Sequence, residues 1–486
     1  MWLQLLACAA SEPSPVHFVR DGIVRGGQFT ARQWAPGDVV DGMVAPRVAE
    51  CVPLFSVGLG DASSHVRAGG EAPDTAIVFS PDERWLAIGT FDGLLLVVDA
   101  WTGALRGRAQ WSEALIKRVA WSPDGSVLWI GEQSPDGFVY ALRSADLAEL
   151  GRFRLADELG GGEPPESGDL YARYALPGVY GLVADAEGAF VVGAHGWTDA
   201  AGIRHNRSRV WRLALGEGVG VTGAWPPEGP ADAVFSGLAL AADVLAVPVR
   251  RSAAGPAPEA IPVDGVALLD RALAPRATVS LSPLLPWFTS VFVGDGVAVS
   301  ESTVWLGLGD GRVVAADRST GEVQHTLPIG VPEPGMSLPL AATVGWVATS
   351  GSGAVAVTTR TVIPYGAASP ELRPPRLHPA ENAVVALAAD GEERWRASFP
   401  HNLQGLVTSD RWVVVGAGGR EADDRRDLFG ALVLHPETGT LAAICPTPSP
   451  VFFRPAMSSD GRIALAEVPF RAAGGVAGEW RVTVMR

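Results

Sequence analysis

Histidine is the side chain best suited to hold a metal or move a proton near neutral pH. The chain has eight, at positions 17, 65, 195, 205, 325, 378, 401 and 435. Only His195 and His205 share a short segment, AHGWTDAAGIRHNRS, which also carries Trp197, Arg204 and Arg207. A metal requires convergent ligands, and two histidines this far apart on a predicted loop do not supply them, so no metal site is expected. Exposed Trp and Arg dominate binding hot spots. Trp197, Arg204, His205 and Arg207 are therefore read as a candidate interaction loop. Asn206-Arg207-Ser208 has the form of a glycosylation acceptor and is read as accidental.

Other chemistry is missing at the level of motifs. The chain has no Gly-x-Ser-x-Gly elbow, no His-Glu-x-x-His and no phosphate-binding loop with Lys. Gly218-Val219-Gly220-Val221-Thr222-Gly223 has dinucleotide-fingerprint spacing, but Trp225-Pro226-Pro227 follows where a long helix should begin. No catalytic residue and no cofactor are assigned. The run Glu421 to Asp427 alternates in sign and reads as a solvated loop.

The three cysteines are Cys8, Cys51 and Cys445. Leu5-Leu6-Ala7-Cys8 has the form of a bacterial lipobox, with Cys8 as the site of lipid attachment. Residues 1–7 then read as a lipoprotein signal peptide, and Ala9 suits sorting to an outer membrane. The apolar stretch is short and no cation precedes it; an initiator further upstream would explain both. Residues 8–48 read as a tether and N-terminal segment, and 49–486 as a single domain. Removing Cys8 from the count leaves Cys51 and Cys445, either as a disulfide in an oxidising compartment or as two isolated small hydrophobes. Periplasmic or outer-membrane anchoring is expected, with a cytoplasmic chain as the alternative.

Composition sets the outer limits. The chain has 486 residues, 47% hydrophobic and 19% charged, with a net charge of −15. The low charge fraction excludes disorder for the bulk of the chain. The acidic balance disfavours a nucleic-acid partner, because phosphate binding needs a basic face. No run of 18 apolar residues marks a spanning helix, so contact with a membrane is expected only through the lipid. Lys117 is the sole lysine, which fits high-GC coding better than a chosen use of Arg. Gly 58 and Pro 38 against Trp 16 and Phe 16 suggest many turns between many strands.

Those turns recur. TAIVFSPDERWLAIGTFDGLLLVVDAWTGALRGRA aligns with IKRVAWSPDGSVLWIGEQSPDGFVYALRSADLAELGRFRL. Each has four apolar strands separated by polar turns, and Asp-Gly between alternating apolar residues is a strong hairpin signal. First-hairpin turns are expected near Asp82, Asp124, Asp185, Asp243, Asp295, Gly351, Asp410 and Asp460. Their spacing of about 54 residues exceeds the ~40–45 of a compact propeller blade, and insertions at 194–208, 250–264, 364–381 and 418–428 account for the excess. The expected fold is all-β: a β-propeller of eight four-stranded blades, with seven as the alternative. The last repeat lacks a strand, which CVPLFSVGLG at 51–60 would supply, closing the ring and hiding an edge.

A finer pattern appears in Asp99-Ala100-Trp101-Thr102-Gly103, Asp317-Arg318-Ser319-Thr320-Gly321 and His435-Pro436-Glu437-Thr438-Gly439. It resembles the repeat of the pyrroloquinoline-quinone-like (PQQ-like) propellers, and the Ser-Pro-Asp-Gly turns resemble WD40-type repeats. The resemblance covers residues 75–486 unevenly and is weak over 156–285. Catalytic quinoproteins carry adjacent cysteines and a calcium beside the quinone; this chain has no adjacent cysteines and no Asp-rich calcium loop. The resemblance therefore implies a non-catalytic scaffold for other envelope proteins, monomeric, like the PQQ-like lipoprotein that assists outer-membrane β-barrel assembly. A diverged quinone-dependent dehydrogenase or propeller hydrolase, and a glycan-binding surface protein, stand as alternatives.

Overall fold

The computed structural model describes residues 49–60, 76–90, 93–111, 115–162, 176–198, 204–251, 261–262, 264–282, 296–331, 341–359, 378–399, 402–418, 429–451, 454–472 and 475–486. It also describes residue 201 and two-residue strands at 17–18, 32–33, 39–40 and 43–44. Cys8, the signal-peptide reading, His17's side chain, His65, His401, the run 421–427 and the bulk of the insertions at 250–264, 364–381 and 418–428 fall outside the described residues.

Why these residues form strands is clearest in Leu94–Asp99. Leu94, Leu96 and Val98 pack into one apolar cluster, while Leu95 and Val97 pack into another. Successive side chains of a strand point to opposite faces. A run that is apolar at every position therefore fits a sheet buried on both sides. The β-branched and aromatic content of the neighbouring strands suits that surface.

Among the described residues, apart from two-stranded pairs at 17–18 with 32–33, 39–40 with 43–44 and 470–472 with 475–477, the strands group into eight successive four-strand units, each antiparallel. Sheet I comprises Ile77–Phe79, Trp85–Gly89, Leu94–Asp99 and Leu105–Gln110. Sheet II comprises Leu115–Trp121, Val127–Gln133, Phe138–Arg143 and Glu149–Arg154. Sheet III comprises Gly178–Asp185, Gly188–Thr198, Arg204–Leu215 and Val219–Trp225; one bridge, Gln133 to Gly178, links it to sheet II. Sheet IV has a divided first strand, Ala233–Phe235 with Ala239–Ala241, then Val244–Arg251, Asp264–Leu269 and Pro275–Ser280. Sheet V comprises Val297–Val299, Thr303–Gly307, Arg312–Asp317 and Val323–Pro328. Sheet VI comprises Val344–Ser350, Gly353–Thr358, Ala383–Leu387 and Glu393–Ser398. Sheet VII comprises Asn402–Thr408, Val413–Gly418, Gly430–Leu434 and Leu441–Pro446. Sheet VIII comprises Ala456–Met457, Ile463–Glu467, Trp480–Met485 and, from the other end of the chain, Pro53–Gly60.

The core lies between sheets. Eight apolar clusters each join one sheet to the next, and the eighth joins sheet VIII back to sheet I through Ala464, Ala466, Val482 and Val484 against Ile77, Leu86, Ile88 and Val98. The sheets therefore close into a ring, a β-propeller, with their first strands beside one another around its axis. Fully burying one Leu or Val contributes roughly 1.5–3 kcal/mol. The closing strand Pro53–Gly60 pairs with Trp480–Met485, so both chain ends build one sheet.

One expected turn is displaced. The first turn of sheet V runs through Ser300–Ser302, not Asp295, which falls outside the described residues. Ser300 Oγ accepts from Thr303 N at 3.1 Å, so a hydroxyl forms this turn without Asp, Gly or Pro. Leu147 lies in the turn between the third and fourth strands of sheet II, at φ +59°. The segment around Leu159 forms one helical turn, Ala156–Leu159. Among the described residues no helix is long and apolar enough to cross a membrane.

Candidate functional site

The segment 194–208 is not a loop. The second and third strands of sheet III run on into a hairpin, pairing His195 with Arg207, Gly196 with Asn206, Trp197 with His205 and Thr198 with Arg204. The sequence reading missed this because the segment lacks an alternating apolar pattern. Neither the first nor the fourth strand of the sheet pairs with residues 195–207, so this part is a two-stranded extension.

Strand geometry decides which residues meet. Directly opposed and alternate positions share a face, so His195, Trp197, His205 and Arg207 lie together. Trp197 stacks on His205 with ring centroids 5.3 Å apart and planes at 19°. His195 lies 5.4 Å from Trp197, and the Arg207 guanidinium carbon lies 5.2 Å from the Trp197 ring. A cation over an indole face contributes about 0.5–1 kcal/mol at an exposed site. Of the four sequence-selected residues, the structure brings Trp197, His205 and Arg207 together; the Arg204 side chain is outside the described residues.

The base of the hairpin is firmly held. His195 is 8% exposed, with Nδ1 3.2 Å from the Leu159 carbonyl oxygen. A carbonyl only accepts, so this contact needs the proton on Nδ1. Glu158 accepts from Trp211 Nε1 at 3.1 Å and pairs with Arg209. Arg209 also donates to the carbonyls of Pro226 and Pro227, at 3.0 and 2.8 Å. Asn206 N donates to Asp232 at 3.3 Å, and Ser208 bridges to Ala231. His195 and His205 flank Trp197 rather than converge on a point. Among the described residues, no group of three or more His, Cys, Asp or Glu could hold a metal.

Two other clusters were not singled out from the sequence. Lys117, the sole lysine, sits at a bulge of the first strand of sheet II and is buried, with Nζ 3.6 Å from the Tyr180 ring of sheet III. Arg118 Nε donates to the Tyr180 carbonyl at 3.2 Å. Trp101 is 43% exposed at the junction of sheets VIII and I, with the guanidinium carbons of Arg462 and Arg486 at 4.3 and 5.6 Å. Its signal was present: Trp101 occupies the turn position held by Ser319 and Glu437 in the other copies.

The turns themselves account for the shared pattern. Asp317 Oδ1 accepts from Ser319 N, Thr320 N and both hydroxyls, at 2.5–3.2 Å. These bonds, led by the Ser319 hydroxyl, hold its carboxyl down to about 2. The Ser122 hydroxyl, followed by Ser126, does the same for Asp124, also about 2. Glu132 goes the other way: burial pushes its carboxyl up against bonds from Ser134 and Phe138 N.

A closed ring of four-stranded sheets with these turns is the β-propeller fold. The crystal structure of BamB from Moraxella catarrhalis matches with a TM-score of 0.51 at 15% identity, covering 90% of this chain and 98% of that one. The computationally designed Ika8 protein also matches with a TM-score of 0.51 at 15% identity, covering 85% and 96%. At these identities the likeness establishes the fold alone. No family model matches the chain, and no curated protein matches it by sequence.

Cys51 and Cys445 are disulfide-bonded, with Cα atoms 4.7 Å apart. Cys51 precedes the closing strand and Cys445 lies in the outer strand of sheet VII.

Proposed function

We propose that this chain is a non-catalytic protein-interaction scaffold of the bacterial cell envelope, with the hairpin of Trp197, His205 and Arg207 as a contact surface. The carrying observation is that hairpin: an aromatic and cationic face built on strands longer than any others in the ring, with its base fixed by Glu158, Arg209 and Ser208. Rigid aromatic anchors flanked by Arg suit protein recognition, because little entropy is lost when they bind. The propeller fold and the likeness to BamB support a scaffold reading, and the PQQ-like resemblance supports the envelope location. In this reading Cys8 carries the lipid, residues 8–48 are the tether and the ring is monomeric.

The test places a photo-crosslinking residue at His205 and, as a control, at the exposed Val221 of the same sheet. The proposal expects a discrete adduct in cells from position 205, lost with Trp197→Ala and not formed from 221. Equal adducts from both positions would remove the hairpin from the account. For the anchor, radiolabelled palmitate should enter the wild type and not Cys8→Ser.

A further inference from the structure

The junctions between sheets share a construction. In sheets I to VII the turn joining the third and fourth strands lies on the fourth strand of the neighbouring sheet before it in the ring. Gly439 of sheet VII lies against Trp395 of sheet VI, Gly391 against His325, Gly321 against Thr278 and Gly103 against Phe55. Where the turn carries a leucine, the facing strand carries a glycine: Leu147 on Gly107, Leu273 on Gly223. In sheet III the turn backbone at Val219 lies on Gly151.

Sheet VIII has no such turn. Its third strand runs out at Met485 and its fourth begins at Pro53; the two are paired as strands, and where a turn would join them there are instead hydrogen bonds between Val52 and Arg486, at 2.7 and 3.0 Å. The place on the outer strand of sheet VII where a turn should dock is taken by Ala49 and Glu50. They pair in parallel with Ala443 and Ile444, and Cys51 N donates to the Ile444 carbonyl at 2.9 Å. The Cys51–Cys445 bond is fastened beside this contact.

We infer that this disulfide stands in for the missing turn, and that the ring carries one redox-sensitive junction, between sheets VII and VIII. A dithiol reductant would act through Cys51, which is half-buried, because Cys445 is fully buried. The reductant thiolate attacks the Cys51 sulfur, and Cys445 leaves as a thiolate and takes a proton. The second reductant thiol then releases Cys51 as a thiol, and the reductant departs as its own disulfide. Residues 49–55 then lose their covalent tie to sheet VII. The middle of the closing strand keeps its own anchor, Ser56 to Thr483 at 2.8 Å with Thr483 donating to Glu467 at 2.6 Å. The opening is therefore local.

The test is hydrogen exchange read by mass spectrometry on the full chain, before and after dithiothreitol, with disulfide mapping of the untreated protein. Reduction should speed exchange at least tenfold in peptides covering 49–55 and 441–446, leaving those covering 303–317 unchanged. Cys51→Ser should show the reduced pattern without reductant, and titrating dithiothreitol on the wild type gives the same readout should that variant not fold. Free thiols at both positions in the untreated protein, no change on reduction, or an equal rise throughout the ring would each overturn the inference.

Discussion

Arg462 Nη1 donates to the carbonyl oxygen of Ala100 at 3.1 Å, across a sequence separation of 362. One side chain thus binds the last sheet to the first. Arg462 is 2% exposed, lies against Asp460 at 2.9 Å, donates through Nη2 to the Glu83 carbonyl at 3.0 Å, and stacks under Trp101. Glu83 returns the contact by accepting from Ser459 N and its hydroxyl. Arg462→Ala should cost about 1–3 kcal/mol, because the buried Ala100 carbonyl loses its donor. Denaturant midpoints check this; a loss below about 0.5 kcal/mol would show that the closure does not depend on the guanidinium.

Gly439 and Gly351 separate two costs that sequence cannot tell apart. Both have positive φ, +69° and +57°. A Cβ at Gly439 would lie 2.4 Å from the Trp395 ring, whereas one at Gly351 would meet nothing within 4 Å. Gly351→Ala should cost only the backbone term, about 1 kcal/mol, and Gly439→Ala about 1–3 kcal/mol more. Equal losses in thermal unfolding would mean that the turn does not dock on Trp395.

Acid should weaken the ring through its turns. Asp124 and Asp317 have folded pKa values of about 2 against an ordinary 3.8. The unfolded chain takes up these protons first as pH falls, so their stabilising contribution is complete above about 4 and lost towards 2. Glu132 has the opposite sign: its raised pKa means its contribution falls as pH rises through the ordinary glutamate range. Urea midpoints at pH 5, 3 and 2 should drop, and Asp124→Asn with Asp317→Asn should flatten the drop. An unchanged slope in that pair would assign the acid sensitivity elsewhere.

The fold was legible because its turns are chemical. Ser80, Ser122 and Ser458 each donate to an Asp two residues on and accept from a backbone amide, so the Ser-x-Asp pattern marks the hairpin directly. Ser300 makes such a turn without the aspartate, which is why that one was misplaced. The missing strand of sheet VIII was legible from its apolar character at 51–60. The site was harder to read. Trp197 and Arg207 could be chosen by residue type, but their shared face depends on strand register, which a polar segment does not display. Trp101 stands out at its turn position, but its meeting with Arg462 depends on ring closure, which the residues around it do not display.

The hairpin should be separable from stability. Trp197→Ala removes a stack and a cation contact on a two-stranded extension outside the four-stranded part of the sheet, a loss of about 1 kcal/mol or less. The variant should unfold within a few degrees of the wild type while losing the position-205 adduct. A large drop in midpoint would make the hairpin a structural element of the ring.

Sheet VIII is built from both ends of the chain. Unfolding of a variant lacking residues 1–60, with and without a synthetic peptide spanning 49–60, tests it most directly. Deletion of 1–48 alone should leave the transition nearly in place. Deletion to 60 should lower or abolish the cooperative transition, and the peptide should restore it. An undiminished transition without residues 49–60 would contradict the closed ring.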